Sequence, residues 1–261
     1  MKIEGSVAVV TGGAHGIGKS IVTSLLKLGA KVCSVDVNNV DGEKTVEDLK
    51  QIHGDSVIFQ KCDITKENEV RNALKVAKDT LGDVTIMVNN AGIMDEYNIS
   101  GTIAINLEAP IRCTMNALEF MGRNNGGNGG VVVFTSSVAG ITPVVGVPAY
   151  SAAKHGLVGF VRSMALSPRI NDWGVRFNCV CPTAVDTPML RTDYLRRGLH
   201  PDDVDSIMQI IDQNRKANTM LQPSEVADAM IKLIEDDTLN GASLLVTKGK
   251  TILVDPPALD L

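Results

Sequence analysis

Seven short runs of β-branched residues, at 7–10, 31–36, 57–62, 84–89, 131–136, 175–180 and 244–247, alternate along this chain with longer stretches of helical spacing. Some runs are apolar at every position, as in VVVF at 131–134. Such a strand has no polar face to turn toward water, so it suits a sheet covered on both sides. Strand and helix in regular alternation predict parallel strands joined by crossover helices. The expected fold class is therefore α/β: a doubly wound parallel sheet of seven strands, ordered 3-2-1-4-5-6 with the seventh at one edge.

The stretches between the runs support that reading. Ile17, Ile21, Leu25 and Leu28 recur at helical spacing, and Gly29 supplies a stop. At 261 residues the chain fits one large α/β domain spanning 1–261. The glycine and asparagine stretch at 124–130 leads straight into the fifth run, so it is a turn and not a linker. Residues 188–222 carry mixed charge and no strand pattern. In this fold they form an insertion over the carboxyl ends of the strands, a substrate lid. The tail at 255–261 contains two prolines and is expected to be extended and loosely packed.

Charge and cysteine usage exclude several classes of function. A formal net charge of -5 without a basic stripe argues against nucleic acid, whose binding draws on clustered Lys and Arg. No stretch reaches the roughly 18 uncharged apolar residues of a membrane span, and MKIEGSVAVV is not expected to act as a signal peptide. Cys33, Cys62, Cys113, Cys179 and Cys181 sit mostly within apolar runs, where thiols act as small hydrophobes, so a reducing, cytoplasmic setting is expected. His15, His53, His155 and His200 show no metal-ligand spacing, and no metal is expected.

The first run leads into TGGAHGIG, a glycine turn that opens a helix. Unpaired amides and the positive end of a helix dipole make such a turn a place for a pyrophosphate. Gly12, Gly13, Gly16, Ile17 and Gly18 are the candidate cradle. Their Gly-x-x-x-Gly-x-Gly spacing meets the general dinucleotide fingerprint only in part, so a purely structural turn stays open. Asp36, with Val37 beside it, closes the second run where a carboxylate would accept from ribose hydroxyls. It would repel a 2′-phosphate, and no Lys or Arg adjoins it in SVDVNN, which favours NAD over NADP. A solvated aspartate at a strand end is the alternative.

Tyr150 and Lys154, four apart in AYSAAKHGLVGF, share one face of a helix. An adjacent ammonium and a cationic nicotinamide would both favour phenolate, making Tyr150 a usable base. Ser137, at the end of the fifth run, could hydrogen-bond the alcohol oxygen. Taken alone, this spacing also describes a partly buried aromatic beside a surface cation.

The ordered set TGGAHGIG, CDI at 62–64, NNAG at 89–92, Asn106, Ser137 and YSAAK resembles the short-chain dehydrogenase/reductase family over nearly the whole chain. The resemblance implies a Rossmann fold and further roles. Cys62, Asp63 and Ile64 would lie at the adenine, Asn90, Ala91 and Gly92 would line the cofactor cleft, and Lys154 would meet the nicotinamide ribose. Asn106 would hold a water linking Lys154 to solvent, completing a proton relay from Tyr150. Val185 and Thr187, in CPTAVDTPM, would contact the carboxamide. Thr183 stands where many relatives have glycine, so that position must accept β-branched backbone angles.

Within the family, NNGGNGGVVVFTSSVAG, YSAAKHGLVGFVRS and LIEDDTLNGA are most similar to the branch acting on the 15-hydroxyl of prostaglandins. That branch has a glutamine where this chain has Val147, and an aromatic where it has Ala184. A polar contact and an aromatic wall to the substrate are thus lost.

The implied function is NAD-dependent oxidation of a lipid-like secondary alcohol to a ketone, with Ser137, Val147 and Tyr150 at the substrate. A carbonyl or ketoacyl reductase acting on a small or apolar ketone is the alternative, followed by a non-catalytic nucleotide-binding scaffold. Arg191, Arg196 and Arg197 could meet a substrate carboxylate or form a solvated helix face. Family resemblance also implies a homodimer or homotetramer through the helices bearing Asn106 and Tyr150.

Overall fold

Each apolar run becomes a strand whose successive side chains pack on opposite helical layers. The computed structural model describes residues 1–256. In order, the chain forms β1 (Val7–Thr11), α1 (Gly16–Lys27), β2 (Lys31–Asp36), α2 (Asn39–His53), β3 (Val57–Lys61), α3 (Glu67–Leu81) and β4 (Val84–Asn89). Then follow α4 (Ile99–Ile103), a π-helical turn (Ala104–Glu108), α5 (Ala109–Met121), β5 (Gly130–Thr135), α6 (Pro148–Ala165), α7 (Ile170–Trp173) and β6 (Val175–Pro182). The remainder comprises α8 (Thr192–Gly198), α9 (Pro201–Lys216), α10 (Pro223–Glu235), β7 (Ser243–Thr247) and β8 (Lys250–Leu253).

The strand order is β3-β2-β1-β4-β5-β6-β7-β8, so the expected seven parallel strands form a single Rossmann-like domain. The expected count is corrected from seven to eight. β8 pairs antiparallel with β7, Thr247 opposite Lys250 and Leu244 opposite Leu253. Four residues at the sheet edge, with Ile252 and Leu253 exposed, have no buried face to impose alternation, which is why pattern reading passes over them. Other limits shift slightly, most at β6, which runs to Pro182.

Alternate residues divide the core in two. Ala8, Val10, Val32, Ile86, Val88, Val131 and Val133 face α1 and α10. Val7, Val9, Cys33, Val35, Met87, Val132 and Phe134 face α3, α5 and α6. Leu28 departs from its expected place: it is the C-cap of α1 and exposed, and Gly29 turns the chain with φ +82°.

Residues 188–222 contain no strand, only the isolated bridge of Leu221 to Val185. Leu195, Leu199, Val204, Ile207 and Ile211 from this segment pack on Ala139, Val147 and Tyr150 as a third apolar cluster. Most of the tail expected to be extended, 257–261, lies outside the described residues.

Candidate active site

β1 pairs with β2 on one side and β4 on the other, so the crossovers reverse direction there and leave a crevice at the carboxyl ends of the strands. That crevice is a cavity of about 840 Å³. Asp36, Val37, Cys62, Asp63 and Ile64 line one end. Gly12, Gly16, Ile17, Gly18, Asn90, Ala91, Gly92, Val185 and Thr187 line its middle, and Ser137, Val147, Tyr150 and Lys154 the far end. Of the site residues read from the sequence, only Gly13 and Asn106 stand outside this lining.

The glycine turn is built for close approach. A Cβ on Gly18 would lie 2.0 Å from the Gly12 carbonyl oxygen, and one on Gly12, at φ +67°, 2.9 Å from Ala91 Cα. Gly13 faces the other way: a Cβ there would lie 2.2 Å from Ser34 Oγ, and its N–H donates to Val35 O at 3.1 Å, so it packs the turn against β2. Asn90 Nδ2 donates to the Thr11 and Gly12 carbonyls at 3.0 and 3.3 Å, while its Oδ1 accepts from Thr135 Oγ1 at 3.0 Å. One side chain thereby ties the ends of β1, β4 and β5. Thr187 folds over the turn, its Cγ2 3.2 Å from where a Gly16 Cβ would be.

The residues present fit a dinucleotide. The first-turn amides of α1 have no partners within the helix, and the lack of side chains at Gly12 and Gly18 lets the turn pack directly on its own backbone and on Ala91. Asp36 is held at the rim, Oδ2 accepting from Ala14 N at 3.1 Å and Oδ1 from Asn38 N at 2.9 Å, with lone pairs left for hydroxyl donors. Asp63 Oδ1 accepts from Thr65 N and Thr65 Oγ1, which holds its carboxyl below the ordinary range. Among the described residues, Lys154 is the only Lys or Arg lining the cavity, so a 2′-phosphate beside Asp36 would find no cation.

At the far end, α6 presents Tyr150 and Lys154 one turn apart, both buried. Lys154 Nζ donates to the Thr135 carbonyl at 2.9 Å. Ser137 lies just beyond β5 and accepts from Ala139 N at 3.1 Å, leaving its hydroxyl proton to point elsewhere. Burial pushes the Tyr150 phenol up to about 12, against a lowering by the Ser137 hydroxyl, and pushes Lys154 down to about 8. The protein groups by themselves therefore hold Tyr150 protonated, opposite to the lowering anticipated from the Tyr-Lys spacing.

Asn106 is fully buried in the π-helical turn. Its Oδ1 accepts from Ile93 N at 2.9 Å and its Nδ2 donates to Ile93 O at 2.7 Å. It approaches Lys154 over Gly92, where a Cβ would lie 2.8 Å from Asn106 Oδ1 and 3.5 Å from Lys154 Nζ.

Beyond Tyr150 the cavity continues into an apolar pocket that motif reading did not find, walled by Met94, Val144, Leu190, Tyr194, Ile207 and Ile211, with Asn214 as a polar exception. Two signals were present in the sequence: Tyr194 is the only aromatic in 188–222, and Val204, Ile207 and Ile211 share helical spacing. Tyr194 Oη accepts from Met94 N at 3.3 Å. Arg191, Arg196 and Arg197 are exposed and line nothing here, Arg197 stacking 5.7 Å from the centroid of the Tyr194 ring. All five cysteines are free and buried. Thr183 adopts no left-handed backbone, since Asn218 is the only described non-glycine residue with positive φ.

A family profile described as short chain dehydrogenase matches residues 6–197. The chain belongs to the short-chain dehydrogenase family. This short-chain dehydrogenase is 39% identical over 258 residues to 15-hydroxyprostaglandin dehydrogenase (NAD+) of Mus musculus, covering 97% of this chain and 93% of that one. To the protein of the same name from Bos taurus it is 40% identical over 253 residues, covering 97% and 94%. The crystal structure of levodione reductase matches with a TM-score of 0.81 at 26% identity, covering 94% and 97% of the two chains.

Proposed function

We propose that this short-chain dehydrogenase uses NAD+ to oxidise a secondary alcohol of apolar, lipid-like character to its ketone, with Tyr150 as the acid/base. The observation that carries this reading is the junction of two spaces. Ser137, Tyr150 and Lys154 stand where a groove fitted to a dinucleotide opens into an apolar pocket. A prostaglandin-type 15-hydroxyl is one member of that substrate class, in keeping with the names of the relatives. Val147, 1% exposed and without a donor, leaves Tyr194 and Asn214 as the polar contacts available deeper in the pocket.

NAD+, when bound, supplies the hydride acceptor. Asp36 would receive the adenosine ribose hydroxyls, the amides at Gly16–Gly18 would face the pyrophosphate, and Val185 and Thr187 would hold the carboxamide. Ser137 donates to the alcohol oxygen. Tyr150 then accepts the hydroxyl proton as phenolate and passes it toward Lys154, with Asn106 beneath Gly92 supporting the relay. The segment 188–222 closes over the pocket and excludes water from the oxygen. Assembly as a dimer or tetramer through the helices of Asn106 and Tyr150, and a cytoplasmic location, complete the reading. Among the described residues no helix is long and apolar enough to cross a membrane.

One observation also favours the reverse direction. A phenol held protonated is suited to deliver its proton to a ketone, and the same residues serve both directions. The test is a panel of fatty, steroid, terpenoid and prostanoid alcohols with NAD+, run beside Tyr150→Phe. Oxidation lost in the variant by roughly 100-fold or more, with NADH affinity retained, supports the proposal. Unchanged turnover in the variant, or stabilisation by NAD+ without oxidation of any alcohol, overturns it.

A further inference from the structure

The helix that carries Tyr150 and Lys154 begins without a cap of its own. Val147 occupies the N-cap position of α6 and offers no side-chain acceptor, so the first-turn amides need partners from elsewhere. Glu96, in the loop after β4, provides both. One carboxylate oxygen accepts from Ala149 N and the other from Tyr150 N, each at 2.9 Å. A charged acceptor on two amides is a stronger restraint than neutral hydrogen bonds. It grips the backbone of Tyr150 itself.

The loop is bound just as closely on its other side. Glu96 N donates to the carbonyl of Gly198, the last residue of α8, at 2.7 Å. A Cβ on Gly198 would lie 2.7 Å from the Met94 carbonyl oxygen and 3.0 Å from Asp95 Cα, so this seat has no room for a side chain. Met94 N donates to Tyr194 Oη, and Ile93 bonds Asn106 through both its N–H and its carbonyl. Within four residues, one loop contacts the helix of Tyr150, the segment over the pocket and Asn106.

We infer that Glu96 is a positioning residue that sets the reach of Tyr150, and that loop 93–96 couples the seating of α8 to it. The inference rests on the role proposed above for Tyr150. A phenol must meet the alcohol oxygen within hydrogen-bond distance, and a misplacement of about 1 Å can lower turnover on the order of 100-fold. Glu96 does not line the cavity. Its effect therefore falls on kcat and leaves the affinity for NAD+ alone.

The experiment compares wild type, Tyr150→Phe, Glu96→Ala, Glu96→Gln, Gly198→Ala and the Glu96→Ala/Gly198→Ala double variant, using an alcohol that the wild type oxidises. Glu96→Ala is expected to lower kcat about 100-fold and Glu96→Gln about tenfold, because the amide oxygen still serves one of the two N–H groups. The KM for NAD+ and the NADH affinity read by fluorescence stay within about twofold. Gly198→Ala raises the KM for the alcohol, and the double variant loses less than the product of the single losses, since both changes break one link. Three results overturn the inference: kcat of either Glu96 variant within twofold of wild type, equal losses in the alanine and glutamine variants that track melting temperature, or multiplicative losses in the double variant. Should Glu96→Ala fail to fold, Glu96→Gln decides. An inactive Tyr150→Phe beside a fully active Glu96→Gln refutes only this inference, whereas a fully active Tyr150→Phe refutes the role of Tyr150 itself.

Discussion

Lys154 Nζ lies 5.4 Å from the centroid of the Tyr150 ring, and both side chains are buried, Tyr150 against residues of the segment 188–222. In that setting burial opposes charge on each group, raising the phenol to about 12 and lowering the ammonium to about 8. Burial thus disfavours both charges, yet below pH 8 Lys154 keeps its proton beside a neutral phenol, and a cationic nicotinamide is what would favour phenolate.

Binding of NAD+ is therefore expected to release protons. A positive ring beside Tyr150 favours its deprotonated form, so by linkage NAD+ affinity rises with pH. NADH, with a neutral ring, shows a weaker dependence. Calorimetry in two buffers of different ionisation enthalpy measures the released protons directly, and equal proton release for both cofactor forms would count against this assignment.

Lys154 carries a stability penalty of definite sign. Its folded value of about 8 lies below the ordinary 10.5, so the fold disfavours the ammonium. The penalty is full below pH 8 and fades as pH rises toward 10.5. Lys154→Met is expected to raise stability at pH 7 by about 1–3 kcal/mol while abolishing turnover, with the gain vanishing at high pH. Denaturant unfolding at pH 7 and pH 10.5 checks both the sign and the window.

Asp36 is expected to set cofactor choice. Asp36→Ala removes the acceptor for the ribose hydroxyls and the charge that repels a 2′-phosphate, so the KM for NAD+ should rise on the order of tenfold or more, with NADP+ becoming usable. Activity gain is limited because no Lys or Arg among the described residues lines that end of the cavity. Steady-state kinetics with both cofactors test this, and an unaltered NAD+ preference would contradict it.

Tyr194 should discriminate among substrates. Its oxygen accepts from Met94 N, which leaves the phenolic proton free to donate into a pocket otherwise walled by Val144, Leu190, Ile207 and Ile211. Tyr194→Phe is expected to lower kcat/KM about 10-fold for alcohols bearing a second oxygen, and to leave purely hydrocarbon alcohols nearly unchanged. Comparing the two substrate types in one variant separates this from a general loss.

The parallel sheet and most of the cofactor groove were legible in the sequence because their causes are local. Strands buried on both faces must be apolar throughout, as 131–134 shows, and a glycine turn between strand and helix needs its glycines where backbone approaches backbone. Asn106, Ser137, Tyr150 and Lys154 are recognisable by their order along the chain, which resembles the family's. Tertiary structure alone decided what depends on contacts between distant segments. Gly13 and Gly18 look equivalent in sequence, yet one faces Ser34 and the other the Gly12 carbonyl. β8 exists only by pairing with β7. Glu96 reads as one more loop carboxylate until the fold brings it to amides 53 and 54 residues away. The acid strength of Tyr150 follows the same rule: residue spacing brings Lys154 near it, but the depth of burial, a property of the whole packed chain, determines which proton is held.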